Sequence, residues 1–435
     1  MTRPHPKDPP RFLKPGQTEW QVDRLVPGGA GFLRLANGQG AFVVGALPGE
    51  RIDVSEAEDH GSYLQARRWT LLEASPDRVT PICLVQSRCG GCDWMVLEYG
   101  AQLRAKAGIL RDALTRTGRF TSLPEISFVA SEEPLAYRSR IRLHVATDGR
   151  LGFFAAESRE LVEIADCPVA HAELAPALGV LRSLSDEQRG ALARFPEVEL
   201  RVAPRGPRLS LRLISKDRRA LDAEPLVTAL SESFQVTVGE GSPDPAHDQR
   251  YPLPGGVELR APGAAFTQVN WPVNQRVVLA LLDGAAQRGV KSFCDLYCGA
   301  GNFSLPLAAA GRRGVGIEAS KPAIFAAQRA AAEQGLGGLQ FIAGDVRDAL
   351  FGLPRTLPFD LAVLDPPRAG AREILPELIR RSPRHIAYCA CDPVTLSRDL
   401  RTLCNSGYAL EQLTGFDMFP QTHHFETLAW LVRES

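Results

Sequence analysis

The chain has 435 residues, enough for two or three domains that each bury a core. Hydrophobic residues at 44% and charged residues at 23% fit an ordinary globular protein and exclude low-complexity classes. Fifty basic and fifty acidic residues cancel, so no global basic field marks a nucleic-acid binder and any such surface must be local.

The amino terminus, Met1-Thr2-Arg3-Pro4-His5-Pro6-Lys7, lacks the apolar core of a signal peptide and reads as a disordered tail. No apolar stretch reaches the roughly 20 residues that span a bilayer, so a cytoplasmic protein is expected. In a reducing compartment its nine cysteines point to metal binding or catalysis rather than a disulfide framework.

Residues about 16–75 read as a small all-β unit. Short apolar runs are separated by Pro27-Gly28-Gly29, Asn37-Gly38 and Leu47-Pro48-Gly49-Glu50, and Asn-Gly between alternating segments signals a hairpin. Closely spaced short strands predict an OB-like barrel, a fold that often binds single-stranded nucleic acid. A structural or dimerisation role fits the strand pattern equally well.

A second, mostly β unit is expected over 76–262. It opens on a cysteine-rich segment: Cys83, Cys89-Gly90-Gly91-Cys92 and, further on, Cys167 in Asp166-Cys167-Pro168. Four thiolates hold zinc or an iron–sulfur cluster. The spacing from Cys83 to Cys89 departs from the paired Cys-x-x-Cys of zinc ribbons, and two glycines free backbone N–H groups to approach cluster sulfurs. A cubane cluster is favoured over zinc. A helix from about Leu97 to Thr117 follows, carrying Arg104, Lys106, Arg111 and Arg116, with Arg119 beyond it. In Tyr137–Val145, strand alternation would gather Arg138, Arg140 and Arg142 on one face and Ile141, Leu143 and Val145 on the other. A solvated face is the usual fate of such a run; three arginines without interleaved acids favour phosphate contacts.

From about 263 to 435 strands and helices alternate, predicting a mostly parallel, doubly wound sheet. Candidate strands are Ser292–Tyr297, Gly314–Glu318, Gln340–Ala343, Leu361–Leu364, His385–Cys389, Ala409–Gly415 and Thr427–Val432. The first ends in Asp295-Leu296-Tyr297-Cys298-Gly299-Ala300-Gly301-Asn302, a glycine turn before a helix, which sets bare backbone beside a ligand. Glu318 ends the second strand where ribose hydroxyls would lie. These features alone also fit NAD. Serine at the third glycine position, Asp345 past the third strand and Asp365-Pro366-Pro367 past the fourth favour S-adenosylmethionine. Cys391 stands where His385–Cys389 runs out, a thiol placed for covalent chemistry beside that cofactor.

Together these motifs resemble the bacterial RNA (uracil-5-)methyltransferases that carry an N-terminal TRAM domain and a [4Fe–4S] cluster, the 23S ribosomal RNA group in particular. Phe42–Glu50 and Ser75–Val79 look like the TRAM stretch, and Phe266-Thr267-Gln268-Val269-Asn270 looks like the motif that opens the methyltransferase domain. The resemblance implies a multidomain chain: TRAM barrel, mostly β central domain, and C-terminal α/β Rossmann-like class I methyltransferase. It implies that Gln268, Tyr297, Gly299, Asn302, Glu318, Asp345 and Asp365 contact S-adenosylmethionine, and that Cys83, Cys89, Cys92 and Cys167 bind the cluster. Cys391 would be the nucleophile that adds to uracil carbon 6, and Glu426 the proton-abstracting carboxylate; Cys389 is a rival thiol. The implied partner is RNA, a single-stranded or loop uridine of 23S rRNA, with transfer RNA as the alternative substrate. RNA cytosine enzymes carry a Pro-Cys motif where this chain has Asp365-Pro366-Pro367-Arg368. A binding protein that has lost catalysis would not need Cys391 and Glu426. One departure stands out: Asp392 follows the nucleophile where the family commonly has Asn. It is expected to turn away or to be neutralised by a cation such as Arg398.

Overall fold

The structure is a computed structural model that describes residues 18–206, 208–215, 224–239, 248–263, 265–354 and 357–434. The expected N-terminal tail, and residues 16 and 17 of the first unit, lie outside these.

The first sheet contains β1 (Glu19–Gln21), β2 (Arg24–Leu25), β3 (Gly31–Arg34), β4 (Gly40–Val43), β5 (Arg51–Asp59) and β6 (Tyr63–Glu73), in the order β1-β5-β6-β4-β3-β2. Asn37-Gly38 makes the β3–β4 hairpin, with Gly38 at φ 84°. Alternate residues of β5 turn Ile52 and Val54 inward onto Trp20, Leu33 and Val43.

Helix α1 (Tyr99–Arg116) begins at Glu98, whose carboxylate accepts from the N–H groups of Gly100 and Ala101. Its buried stripe of Ile109, Leu110 and Leu114 packs in the same core as Leu396 and Leu400 of the C-terminal region and Leu25 and Leu47 of the first sheet. Strand β7 (Ile126–Val129) then joins the C-terminal sheet as its outermost strand.

The central sheet is built from β8 (Arg140–Val145), β9 (Leu151–Phe154), β10 (Leu161–Glu163), β11 (Glu197–Val202), β12 (Leu209–Ile214) and β13 (Gln235–Val238), in the order β10-β9-β8-β11-β12-β13. Helices α2 (Leu174–Arg182), α3 (Asp186–Leu192) and α4 (Glu224–Ser231) accompany it, and β14 (Gln249–Leu253) and β15 (Val257–Ala261) form a separate hairpin. On β8, Ile141 and Leu143 are buried as alternation requires. The arginine face differs from expectation. Glu197 and Glu199 of β11 lie across the sheet, and Arg142 pairs with both, at 3.6 and 3.1 Å. The acids that one strand lacks are supplied by its neighbour, which a single-strand pattern cannot show.

The C-terminal region runs α5 (Trp271–Gln287), β16 (Ser292–Leu296), α6 (Ser304–Ala309), β17 (Arg313–Glu318), α7 (Lys321–Glu333), β18 (Leu339–Ala343), α8 (Val346–Gly352), β19 (Leu361–Leu364), α9 (Leu375–Arg381), β20 (His385–Ala390), α10 (Pro393–Cys404), β21 (Tyr408–Phe416) and β22 (Glu426–Arg433). All seven expected strands are present. Their order is β18-β17-β16-β19-β20-β22-β21-β7, parallel from β18 to β20, with β22 antiparallel to both of its neighbours. Strands β19 and β20 are buried throughout, as the apolar runs of a sheet covered on both faces require. The strand order reverses between β16 and β19, and a crevice at the carboxyl ends there is where such folds bind ligands. Among the described residues, no helix is long and apolar enough to cross a membrane.

Candidate active site

Asp295, Glu318, Asp345 and Asp365 stand at or just beyond the carboxyl ends of β16, β17, β18 and β19, so the sheet gathers them on one rim. Asp295 is fully buried; Ser304 Oγ donates to its Oδ2 at 2.5 Å, while its Oδ1 has no partner. Burial, with Asp365 nearby and the Ser304 bonds opposing, pushes this carboxyl up to about 7. The chain then turns through Tyr297 (φ 66°), Gly299 (φ 54°) and Gly301 (φ 95°). Two of these three left-handed positions are glycine, where the conformation carries no Cβ penalty; Tyr297 holds it as a side chain. Glu318 clamps the turn, accepting from Gly299 N at 3.3 Å and from Ser320 N at 2.8 Å. Asn302 forms a reciprocal amide pair with Asn274 of α5, at 2.8 and 3.0 Å. Asp345 caps α8 by accepting from Asp348 N at 3.1 Å. Gln268 is half-buried in the segment between β15 and α5.

Cys391 is the first residue beyond β20 and is half-buried, whereas Cys389 lies deeper, 3% exposed. Glu426 opens β22, the antiparallel neighbour of β20, which brings it beside the end of the strand that leads to Cys391. Cys389 Sγ donates to Glu426 Oε2 at 3.9 Å, and ligating atoms of Asp365, Cys389 and Glu426 all lie within 4.8 Å of one another. Two carboxyls this close do not both ionise freely. Burial and then Asp365 raise Glu426 well above the carboxylate range, with Arg368 opposing; burial likewise lifts Asp365 to about 7. Burial, with Glu426 next, pushes the Cys391 thiol up to about 12, and Arg368 pulls it down. The site therefore holds two thiols, two close carboxyls and one opposing guanidinium.

Asp392 turns to the helix. It is the N-cap of α10, accepting from Thr395 N at 2.7 Å. Arg398 is committed elsewhere, donating to Asp399 at 2.8 Å and to Ala369 O at 2.9 Å. The carboxylate is thus stabilised by a helix N-terminus rather than by a direct bond from that cation.

A small cleft of about 60 Å³ opens on Cys391; Pro27 and Gly28 of the β2–β3 turn, Arg368, Asp392, His423 and His424 also line it. Sequence reasoning assigned no role to Arg368, Asp93 or His423. Arg368 stood in the quoted Asp-Pro-Pro-Arg segment, but only the fold sets its charge against Cys391. Asp93 and His423 are 330 positions apart and carry no local signal.

Cys83, Cys89, Cys92 and Cys167 are free, half-buried and gathered in one neighbourhood, with Cys83, Cys92 and Cys167 packed against Met95, Tyr137, Val169 and Val269. Burial, then Cys167, pushes the Cys92 thiol up to about 12, and Arg138 opposes. Among the described residues, no three of these thiols come within 4.8 Å of one another. Tetrahedral zinc with Zn–S bonds of about 2.3 Å would draw its sulfurs to about 3.8 Å. Arg138 lies close enough to oppose the rise of the Cys89, Cys92 and Cys167 thiols.

A family model described as tRNA (Uracil-5-)-methyltransferase matches residues 256–351 and 353–434. A 23S rRNA (uracil(1939)-C(5))-methyltransferase RlmD of Aeromonas hydrophila is 33% identical over 435 residues, covering 98% of this chain and 98% of that protein. Its counterpart of the same name in Shewanella amazonensis is 34% identical over 423 residues, covering 94% of each. The chain belongs to the RNA (uracil-5-)methyltransferase family. A solved structure adds the fold: Pyrococcus abyssi tRNA (uracil-54, C5)-methyltransferase, in complex with S-adenosyl-L-homocysteine, superposes with a TM-score of 0.74 at 24% identity, over 95% of this chain and 100% of that one. This uracil-5 methyltransferase accordingly has an α/β methyltransferase fold joined to further sheets.

Proposed function

We propose that this methyltransferase forms 5-methyluridine in 23S rRNA through a covalent adduct between Cys391 and uracil carbon 6. The observation that carries the reading is Glu426 opening β22 beside the end of β20, its carboxyl close to Asp365 and both acting on the charge of the Cys391 thiol just beyond. S-adenosylmethionine supplies the methyl group. Uracil carbon 5 is a weak nucleophile, and addition of the Cys391 thiolate at carbon 6 pushes an electron pair toward carbon 5, splitting one hard step into two. Arg368 offsets the negative charge that the thiolate brings to a site already holding two carboxyls. After carbon 5 carries the methyl group, Glu426 in its deprotonated form, which Arg368 favours and Asp365 opposes, takes the carbon 5 proton. The C–H electron pair restores the 5,6 double bond, the carbon 6–sulfur bond breaks, and Cys391 leaves as thiolate. The base must leave any RNA stack to reach the cleft.

The cofactor pocket is assigned to Gln268, Tyr297, Gly299, Asn302, Glu318, Asp345 and Asp365. The backbone of the glycine turn and the unpartnered Asp295 Oδ1 are suited to a cationic amino acid and its ribose. Cys83, Cys89, Cys92 and Cys167 would hold a [4Fe–4S] cluster. Its part would be structural, cross-linking residues 83–92 to 167, since methyl transfer is redox neutral. Domain limits of 16–75 for a TRAM barrel, 76–262 for the cluster-bearing region and 263–435 for the catalytic domain complete the proposal, with α1 and β7 packed into the last. A cytoplasmic location follows from an RNA substrate and a cluster built in a reducing compartment.

The test is transfer of labelled methyl groups to 23S rRNA and to tRNA transcripts. Wild type should label 23S rRNA, Cys391→Ala should not, and Glu426→Gln should accumulate a covalent enzyme–RNA species. Labelling of tRNA alone would reassign the substrate. No labelling of either RNA would remove the reading.

A further inference from the structure

Glu426 ends a loop that begins at Asp417, and most of the contacts holding that loop come from the segment just after the thiols. Lys106 donates to Asp417 Oδ1 at 2.5 Å and to Phe419 O at 3.1 Å, with Tyr99 OH on the other Asp417 oxygen at 2.8 Å. Gln102 bonds the Gln421 side chain at 3.0 Å and its backbone N–H at 2.9 Å. Trp94 N donates to Gln421 O at 3.0 Å, and Trp94 Nε1 reaches Gly29 O in the β2–β3 turn at 2.9 Å.

The contact nearest the catalytic groups is made by Asp93, the residue directly after Cys92. Its Oδ1 accepts from His423 N at 3.2 Å and its Oδ2 lies 2.5 Å from His423 Nδ1. One carboxylate thus fixes both the backbone and the ring of a residue three positions before Glu426. The His423 ring packs tilted against His424, 3.9 Å between centroids, and both rings line the cleft with Cys391. Gly29 (φ 83°) sits directly over this grip: a Cβ there would overlap Asp93 Oδ2 and come within 2.9 Å of His423 Nδ1. A two-point hold, roofed by a glycine of the β2–β3 turn, is more than a surface ion pair.

We propose that Asp93 is a positioning residue for Glu426: by gripping His423 it sets the loop that delivers the carboxylate to carbon 5, making the thiol-bearing segment mechanically part of the active site. The inference rests on the roles proposed above for Cys391 and Glu426. If the carboxylate is displaced, addition of Cys391 and receipt of the methyl group proceed, but the carbon 5 proton stays and carbon 6–sulfur cleavage waits for it. The step lost is elimination. A misplacement of roughly 1 Å at such a group costs on the order of a hundredfold.

The experiment is a single-turnover comparison of full-length wild type and Asp93→Ala, with a 23S rRNA transcript and labelled S-adenosylmethionine. Methylated enzyme–RNA adduct is separated from free methylated RNA on a denaturing gel. Asp93→Ala should form adduct near the wild-type rate and release product about tenfold to a hundredfold more slowly, so that labelled adduct accumulates. Asp93→Asn, which keeps an oxygen for His423 N, should recover most of the release rate. Should Asp93→Ala fail to fold, His423→Ala carries the same comparison. A wild-type adduct fraction in the variant, or adduct and product falling together, overturns the inference. Wild type that transfers no methyl group overturns the reading above, and this one with it.

Discussion

The reactivity of Cys391 offers a quantitative check on the site. Held at about 12 rather than 9.0 by burial, Glu426 and Asp365, its thiol would be ionised at pH 8 only to about one part in ten thousand, against about one in ten for an unperturbed thiol. Iodoacetamide reacts with the thiolate, so alkylation of Cys391 in the cofactor-free enzyme, followed by peptide mass spectrometry, should rise about tenfold per pH unit from 7 to 10. No plateau is expected in that range. Arg368 is the cation that opposes the rise. Arg368→Met should push the thiol further up and slow alkylation at pH 8 by roughly threefold to tenfold, the lower figure at high salt because the guanidinium is exposed. Asp392 is occupied in capping α10, and Asn caps a helix about as well. Asp392→Asn should therefore leave the alkylation profile within about twofold of wild type. A plateau near pH 8 in wild type would refute the burial argument. Tenfold acceleration in Asp392→Asn would show that the capping carboxylate still holds the thiol up.

Other expectations follow from the same geometry. Lys106 and Asp417 are both fully buried, so Lys106→Met, which leaves one charge unpaired, should destabilise the fold by roughly 3–5 kcal/mol in chemical denaturation. Replacing both, as Lys106→Met with Asp417→Leu, should recover part of that loss; a double variant no better than the single would contradict it. Gly284 of α5 faces buried Trp430, whose ring lies 2.5 Å from where a Cβ would stand. Gly284→Ala should cost about 1–3 kcal/mol by overpacking despite the better helix propensity of alanine, read as a lower melting temperature. Anaerobically purified enzyme should be brown with broad absorbance near 400 nm, and Cys92→Ser should lose it. A colourless wild type carrying one zinc per chain would refute the cluster.

Much of the catalytic region is legible in the sequence because its determinants are local. Apolar runs such as Leu361–Leu364 and His385–Cys389, set between turns and helical stretches, read as buried strands, and the turn after Asp295 places glycine at two of its three positive-φ positions. The chemistry at strand ends is legible for the same reason: a parallel sheet places every strand's carboxyl end on one edge. Other features were hidden by sequence distance. Strand β7 is separated by nearly the whole catalytic region from its partner β21, and no periodicity in Ile126–Val129 names that partner. The arginines of β8 read as an unopposed basic stripe until β11 set Glu197 and Glu199 beside Arg142.

By itself, then, the sequence determined the strands, the glycine turn and the positions of the thiols. All of these depend on residue type and spacing within a few positions. Only the tertiary structure decided what surrounds them: Asp365 and Cys389 against Glu426, Arg368 opposing the charge at Cys391, Asp392 turned to a helix end, and Asp93 holding His423. Electrostatic and hydrogen-bonding terms depend on distance through space and on burial, and neither is written along the chain.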